Sequence, residues 1–188
     1  RLYSMAYNLK DVFYLSTSTT IAATTGGAGS AQLDLSAYID PIARGRTKGT
    51  GLAIYKAHFM MNDDAESEPV DVGEAGVMSI ALLAGAGSGD VATGGLVNPN
   101  DVNATNNLLV AGASYYGPGT AGYVGDGFSN QIMPSKDVPY VIVRDNVCLL
   151  YSVKDNFSNT SILSVRLECA QVTLDQATLN QLLRTQTV

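Results

Sequence analysis

Alternation of apolar and polar residues with a period of two is the feature that most restricts the fold of this chain. It is clearest between Ser161 and Val172. The apolar positions there are Leu163, Val165 and Leu167, and the polar ones are Ser164, Arg166 and Glu168. Successive side chains of a β-strand point to opposite faces of its sheet, so this pattern predicts a half-buried strand with the leucines and valine inward.

Other stretches are rich in β-branched and aromatic residues and are bounded by Gly, Pro, Asn or Asp, as strands are. They are Asn8–Leu15, Ala31–Ile39, Gly51–Met61, Val77–Leu83, Leu108–Tyr116 and Pro139–Val153. The last of them and Ser161–Val172 are predicted to pair as a β-hairpin. Many short strands with almost no helix predict an all-β sandwich or barrel, here a single domain over residues 1–188.

The segments between the strands are long and polar. Residues 16–30 are almost all Ser, Thr, Ala and Gly, which predicts a flexible connection or an edge segment, and we expect residues 1–30 to be partly flexible. Residues 85–135 are rich in Gly, Asn and Pro and are predicted to be a loop-rich insertion at one end of the sandwich. Within Gly51–Met61, strict alternation predicts one face that holds Leu52, Ile54, Lys56, His58 and Met60.

The chain ends with a change of period. Leu179, Leu182 and Leu183 have helical spacing, and Thr173 and Gln176 fit the two ends of a capping box. We therefore predict one short C-terminal helix over residues 174–184, with Thr173 as its N-cap.

The composition favours assembly over nucleic-acid binding. Only 15% of the 188 residues are charged, against about 25% in typical soluble domains. A surface of low charge density suits a protein that covers much of its surface with neighbours. The net charge of −6 and the lack of a Lys/Arg-rich arm argue against sequence-specific nucleic-acid recognition, because phosphate binding requires many cations.

The chemistry-bearing residues do not form an enzyme motif, and no cofactor motif occurs. The lone histidine, His58, stands in the middle of a predicted strand, and Cys148 and Cys169 lie in apolar stretches without a nucleophile signature. We expect buried thiols at both cysteines; a single cross-strand disulfide between them is the alternative. The sequence predicts a non-enzyme without a cofactor.

Two charged loops and two tyrosines are the remaining candidates. Asp63, Asp64 and Glu66 begin an acidic loop that could offer oxygen ligands to a hard cation, although a solvated loop is favoured because the Asp-x-Asp-x-Asp-Gly order is missing. We expect Arg44, Arg46 and Lys48, together with Tyr115 and Tyr116, to contact neighbouring subunits; Tyr115 and Tyr116 could also stack on a sugar.

Taken together, the layout of Asn8 to Val172 resembles the single jelly-roll major capsid proteins of tailless icosahedral double-stranded DNA viruses. The resemblance is one of architecture, and the predicted C-terminal helix departs from it. It implies a jelly-roll-type antiparallel sandwich that forms a coat subunit of a viral shell, with no catalytic residues. It also implies copies of the chain as partners, allows a second coat protein and an internal membrane beneath the shell, and places the protein in the virion.

Two other classes of function remain open from the sequence. One is a cellular surface-layer, filament or adhesion subunit, at the cell surface or outside the cell, in which the stretch before Ala31 is an exchanged or donated strand. The other is a carbohydrate-binding or hydrolytic sandwich, for which Glu66 and Glu68 would be the residues to change. A linear polymer would favour the first, and activity lost on changing those glutamates would favour the second.

Overall fold

The strands form where apolar residues alternate or cluster between turn residues. The computed structural model describes residues 11–24, 27–40, 48–64, 70, 76–85, 103–119 and 127–186. Within these ranges the strands are β1 (Val12–Ile21), β2 (Gly27–Asp34), β3 (Lys48–Asp63), β4 (Val77–Ala84), β5 (Leu109–Tyr116), β6 (Gly127–Ile132), β7 (Tyr140–Ile142), β8 (Asn146–Asp155) and β9 (Ser161–Asp175). One helix, α1 (Gln176–Thr185), follows β9.

The strands make two antiparallel sheets whose order defines the fold. The four-stranded sheet has the order β1-β9-β3-β7, and the five-stranded sheet has the order β2-β8-β4-β5-β6. The pairs are nested along the chain, because β1 pairs with β9, β2 with β8, β3 with β7 and β4 with β5. Nested antiparallel pairs divided between two sheets are the jelly-roll arrangement, with β6 added at one edge. The predicted all-β sandwich with one C-terminal helix is confirmed.

The core lies between the two sheets. In β9 the predicted inward residues Leu163, Val165 and Leu167 are at most 1% exposed, as predicted. They face Ile80 and Leu149 and the other buried side chains of the five-stranded sheet in one cluster. Each fully buried Leu, Ile or Val contributes about 1.5–3 kcal/mol relative to an exposed one, so this layer is the main source of stability.

The predicted hairpin between the last two long strands is wrong. β8 belongs to the five-stranded sheet and β9 to the four-stranded sheet, so the connection between them crosses from one layer to the other. Phe157 lies in this connection and is 1% exposed, and its carbonyl oxygen accepts a hydrogen bond from the Thr24 amide at 2.8 Å. A period of two identifies a strand but not its partner. Strands that follow one another in the sequence are often neighbours in a sheet, but not always.

A β-bulge in β3 changes which residues face the core. Ile54 pairs with Cys169 and Lys56 pairs with Glu168, so Tyr55 is an extra residue on the β3 side. Leu52 and Ile54 are therefore inward before the bulge, and the inward positions after it have the opposite parity. These later inward residues are Ala57, Phe59 and Met61. The prediction of one face for Leu52, Ile54, Lys56, His58 and Met60 is wrong, because a bulge adds one residue to the count.

The Ser/Thr/Gly-rich stretch contributes to one edge of each sheet. Residues 16–21 complete β1 and residues 27–30 begin β2, and each of these strands is at the end of its sheet. Of the two alternatives from the sequence, the edge segment is the one observed for these residues. β2 ends at Asp34 rather than continuing to Ile39, because the Asp34 carboxylate accepts a hydrogen bond from the Ser36 amide at 2.8 Å and starts a turn.

The predicted insertion at residues 85–135 contains more regular structure than its composition indicates. The strand predicted over Leu108–Tyr116 is observed as β5. β6 was not predicted, because its sequence GFSNQI has few strand-forming residues and follows a Gly-rich stretch. β6 pairs with β5 and so extends the five-stranded sheet.

The C-terminal helix begins two residues later than predicted and has a different cap. Thr173 pairs with Thr50 in the β9–β3 ladder, so it is a strand residue. Asp175 is the N-cap, and its carboxylate accepts a hydrogen bond from the Thr178 amide at 2.7 Å. This interaction lowers the pKa of Asp175 because it stabilises the ionised form. A carboxylate satisfies the first amides of a helix as well as a threonine hydroxyl does, and the β3 ladder occupies Thr173.

Candidate functional site

The outward face of the four-stranded sheet carries a group of charged, polar and aromatic side chains. Residues that lie opposite one another in β1, β9 and β3 form three rows across this face. The rows are Tyr14, Glu168 and Lys56; Ser16, Arg166 and His58; and Ser18, Ser164 and Met60. We call these nine residues the outer grid.

A histidine–carboxylate pair lies near the middle of the outer grid. His58 Nε2 is 3.0 Å from Glu168 Oε1, and the side chains are 43% and 20% exposed. The hydrogen bond from His58 lowers the pKa of Glu168, and the positive charges of Lys56 and Lys136 act in the same direction. The pair is a surface interaction, because solvent reaches both partners.

An aromatic and a cation lie beside this pair. The guanidinium carbon of Arg166 is 5.6 Å from the centre of the Tyr14 ring, within the range of a cation–π contact. Tyr14 is 62% exposed and Met60 is 59% exposed. The face between them is a shallow depression of about 710 Å³ that includes hydroxyl groups of Ser16, Ser18 and Ser164. The arrangement provides polar and apolar contacts for a partner.

The geometry of the outer grid favours contact over catalysis. A nucleophile must be hydrogen-bonded to its base. His58 Nε2 is paired with Glu168, so a nucleophile would have to reach the other ring nitrogen, Nδ1. The hydroxyl of Ser164 in the next row is directed to the carbonyl oxygen of Met60 at 3.5 Å. The structure places His58 as a surface partner of Glu168.

Only part of the predicted basic contact loop falls within the described residues. Arg44 and Arg46 lie outside them, and Lys48 is the exposed first residue of β3. Lys48 is opposite Asp175 in the ladder, and its positive charge helps to lower the pKa of that carboxyl group. A role of Lys48 in a subunit contact stays a prediction.

The two adjacent tyrosines point to opposite sides of their sheet. Tyr115 is 0% exposed and packs against the rings of Phe128 and Phe157, with centroid distances of 5.1 and 6.0 Å. Its predicted role as a subunit contact is wrong, because consecutive residues of a strand alternate between faces and Tyr115 takes the inward one. Tyr116 is 45% exposed and stays a candidate contact.

The acidic loop is described only at its start. Asp63 ends β3 and is 9% exposed, and the amide of Asp64 donates a hydrogen bond to the Thr160 carbonyl at 3.0 Å. Glu66 lies outside the described residues. Across the ranges that the structure covers, no group of three His, Cys, Asp or Glu side chains has the spacing of a metal site.

The cysteines lie in different sheets and on different faces. Both are buried thiols, Cys148 in β8 and Cys169 in β9. Cys169 joins the main core, whereas Cys148 is part of a small apolar cluster with Leu83 and Leu150. Burial raises the pKa of the Cys169 thiol to about 12. The expectation of buried thiols is confirmed.

Sequence reasoning missed the residue that closes one sheet edge, Gln186. Its Nε2 donates to the Val141 carbonyl at 2.7 Å, and its Oε1 accepts from the Val143 amide at 3.1 Å. Gln186 is 4% exposed, so the side-chain amide takes the place of a neighbouring strand beside β7. A buried C-terminal glutamine has no local sequence signal, because its partners are 43 and 45 residues away.

Comparison with known proteins returned structural similarities alone. No family profile and no curated protein matches the sequence. Among solved structures, VP1 of Trichodysplasia spinulosa-associated polyomavirus aligns with a TM-score of 0.39 and 9% identity, over 87% of this chain and 96% of that one. VP1 of Merkel cell polyomavirus, in complex with disialyllactose, aligns with a TM-score of 0.42 and 6% identity, over the same shares.

These neighbours are similar to this chain in architecture alone. The nested strand order defines the jelly roll of this chain independently of them. In the described part of the chain, no helix has the length and hydropathy needed to span a membrane.

Proposed function

We propose that this protein is a coat subunit that assembles with copies of itself into a viral shell. The observation that carries the proposal is the nested strand order, with one four-stranded and one five-stranded sheet. Jelly rolls of this kind recur in capsid and lectin domains, and they leave few strand edges exposed to uncontrolled pairing. The low fraction of charged residues, 15%, agrees with a surface that neighbours cover.

The outer grid favours a structural role over an enzymatic one. Its exposed apolar groups, Tyr14 and Met60, provide contact area on the outward sheet face, and its single histidine is paired with Glu168. Aromatic side chains, methionine and arginine are enriched at protein interfaces. In this proposal the protein acts in the virion, and an internal membrane and a second coat protein are further partners to be sought in native particles.

The test is to determine the assembly state of the purified chain by light scattering and negative-stain electron microscopy. Closed shells, or discrete trimers, pentamers or hexamers, are expected over a range of protein and salt concentrations. Fibres or flat sheets would overturn the coat proposal in favour of a surface-layer or filament subunit. A monomer that persists at high concentration would overturn both.

A matched pair of variants tests whether assembly uses the exposed tyrosine predicted as a contact. Tyr116→Ser removes an aromatic side chain that is 45% exposed, and Val138→Ser removes an apolar side chain that is 74% exposed. We expect the first variant to remain folded and to lose assembly, and the second to assemble as the parent does. Equal behaviour of the two would exclude Tyr116 from the contact.

A further inference from the structure

The edge of the four-stranded sheet formed by β1 is unusual in its length and regularity. β1 has ten residues and pairs with β9 without a register shift. Its sequence, VFYLSTSTTI, contains no Lys, Arg, Asp, Glu or Pro. Edge strands are normally protected against pairing by charges, proline, bulges or short length, and β1 has none of these protections within its described residues.

The opposite edge of the same sheet is closed. β7 has three residues, and the side-chain amide of Gln186 occupies the Val141 carbonyl and the Val143 amide beside it. An additional strand therefore cannot reach these groups. Within the described part of the chain, β1 is the edge of the four-stranded sheet that can accept a further strand.

The direction of the backbone groups in β1 follows from a single contact. The hydroxyl of Tyr151, which belongs to the other sheet, donates a hydrogen bond to the Thr20 carbonyl oxygen at 3.3 Å. Thr20 therefore belongs to the set of alternate residues whose carbonyl and amide groups point away from β9. The Thr20 carbonyl is thus occupied by Tyr151. Counting back by twos, the other members of this set are Ser18, Ser16, Tyr14 and Val12, whose side chains are exposed and whose backbone groups would meet a further strand.

We propose that β1 of one copy pairs antiparallel with β1 of a second copy around a twofold axis, which joins the two four-stranded sheets into one of eight strands. The occupant is a second copy because the edge complements itself. Because β1 is uncharged, pairing with a second β1 brings no like charges together. For the same reason, β1 has no charge that would attract an acidic or basic segment of a different protein. Antiparallel pairing also brings the exposed ring of Tyr14 towards the serine-rich half of the other β1, and one twofold contact closes upon itself.

This inference rests on the proposed function in one respect, namely that the chain associates with itself. It adds the surface through which one of those contacts forms. Shell assembly requires further contacts elsewhere, so the pairing through β1 and the formation of shells can be tested separately.

A matched pair of lysine substitutions tests the pairing. Ser18 and Ser164 lie opposite each other on the outer grid, Ser18 in the edge strand and Ser164 one strand further from the edge. Ser18→Lys places a cation at the edge, where two copies would meet, and Ser164→Lys places the same cation on the same face but outside the pairing. The full-length protein and both variants are compared by sedimentation velocity over a range of concentrations, with circular dichroism to verify folding.

We expect the parent chain to form dimers at the lowest concentrations, below those at which larger assemblies appear. Ser18→Lys should raise the dissociation constant of these dimers by about tenfold or more, which corresponds to about 1.4 kcal/mol. Ser164→Lys should change the dissociation constant of the dimer by about twofold at most. Ser164 lies one strand away from the edge where the two copies meet, and a surface substitution outside a contact has a small effect. In hydrogen exchange, the amides of Tyr14, Ser16 and Ser18 should become slower as the parent protein dimerises.

Three results would overturn the inference: a parent chain that stays monomeric, equal effects of the two lysines, or β1 amides whose exchange does not depend on protein concentration. Shells that form without protection of β1 would overturn this pairing and leave the coat proposal standing. Dimers that pair through β1 without forming shells would support the pairing and count against the coat proposal.

Discussion

The phenol of Tyr151 lies directly over Gly29, so that a Cβ atom at Gly29 would be 2.5 Å from the Tyr151 hydroxyl oxygen. Tyr151 is in β8, Gly29 is in the edge strand β2, and the hydroxyl continues past Gly29 to the Thr20 carbonyl of the other sheet. Burial raises the pKa of this hydroxyl. One glycine thus permits one tyrosine to join the edges of the two sheets.

Gly29→Ala is therefore expected to destabilise the protein. The added methyl group forces the Tyr151 ring to move and breaks its hydrogen bond to Thr20, at a cost of about 1–3 kcal/mol. Gly127→Ala is the matched control, since Gly127 is also in an edge strand and, of the described residues, none lies within 4 Å of the position of its Cβ. Chemical denaturation should show a change of about 0.5 kcal/mol at most for the control. Equal stabilities of the two variants would contradict the close approach.

Tyr115→Ala and Tyr116→Ala should differ strongly in stability although the residues are adjacent. Tyr115 fills the core between Phe128 and Phe157, and its removal leaves a cavity that costs about 3–5 kcal/mol. Tyr116 is 45% exposed, and its removal should cost about 0.5 kcal/mol or less. Thermal and urea unfolding of both variants measure this difference. A large loss in Tyr116→Ala would mean that the alternation in β5 is assigned to the wrong faces.

Gln186→Ala should destabilise the β7 edge of the four-stranded sheet. The substitution leaves the amide of Val143, itself a 1% exposed residue, and the carbonyl of Val141 without their partner, which costs about 1–3 kcal/mol. Gln181→Ala, at an exposed position of the same helix, is the control and should leave the free energy of unfolding nearly unchanged. Hydrogen exchange of the Val143 amide should be faster in Gln186→Ala but not in Gln181→Ala, which would identify the lost contact. Indistinguishable variants would rule out Gln186 as an edge cap.

The His58–Glu168 pair should make a small contribution to stability that depends on pH. The pKa of Glu168 is lowered from 4.5 in the folded protein, so the contribution is present above pH 4.5 and is lost as the pH falls through the lower folded value. Because solvent reaches both side chains, we expect Glu168→Gln to cost about 0.2–1 kcal/mol at neutral pH and nothing at the acid end. The difference between parent and variant should also shrink in high salt. A difference that is constant with pH would contradict the role of the ionised carboxylate.

Features of the fold that depend on neighbouring residues could be predicted from the sequence, whereas features that depend on residues far apart in the chain could not. The inward set of β9 was predictable, because Leu163, Val165 and Leu167 alternate without interruption and one face of the strand is exposed. β8 gives no such signal, because Cys148 and Leu150 are buried on the side away from the main core. Its partner strands therefore depend on contacts distant in the chain, and the hairpin with β9 was the wrong choice.

The outer grid could not be predicted from the sequence for a related reason. The pairing of His58 with Glu168 joins residues 110 positions apart, and no local pattern links them. The bulge at Tyr55 further obscured the face on which His58 lies, because Leu52 and Ile54 before it are inward while His58 after it is outward. The prediction of Thr173 as the N-cap was wrong for the opposite reason. Thr173 has the local sequence pattern of an N-cap, but it pairs with Thr50 and is therefore part of β9.

Deletion of Tyr55 tests this account of the bulge. Without the extra residue, Ile54 and Lys56 become neighbours in the chain, and they already pair with the adjacent Cys169 and Glu168. The shortened strand would then alternate regularly with Ile54 and Ala57 inward, and we expect a folded protein that loses less than about 3 kcal/mol.

Deletion of Phe59 is the matched control, since it removes one aromatic residue from the same strand at a place without a bulge. Every later residue of β3 would turn to the opposite face, which moves Met61, now 6% exposed, from the core to the surface. We expect this variant to be unfolded or far less stable in a denaturation experiment. If the deletion of Tyr55 were as damaging as that of Phe59, Tyr55 would be an essential residue of the ladder instead of an inserted one.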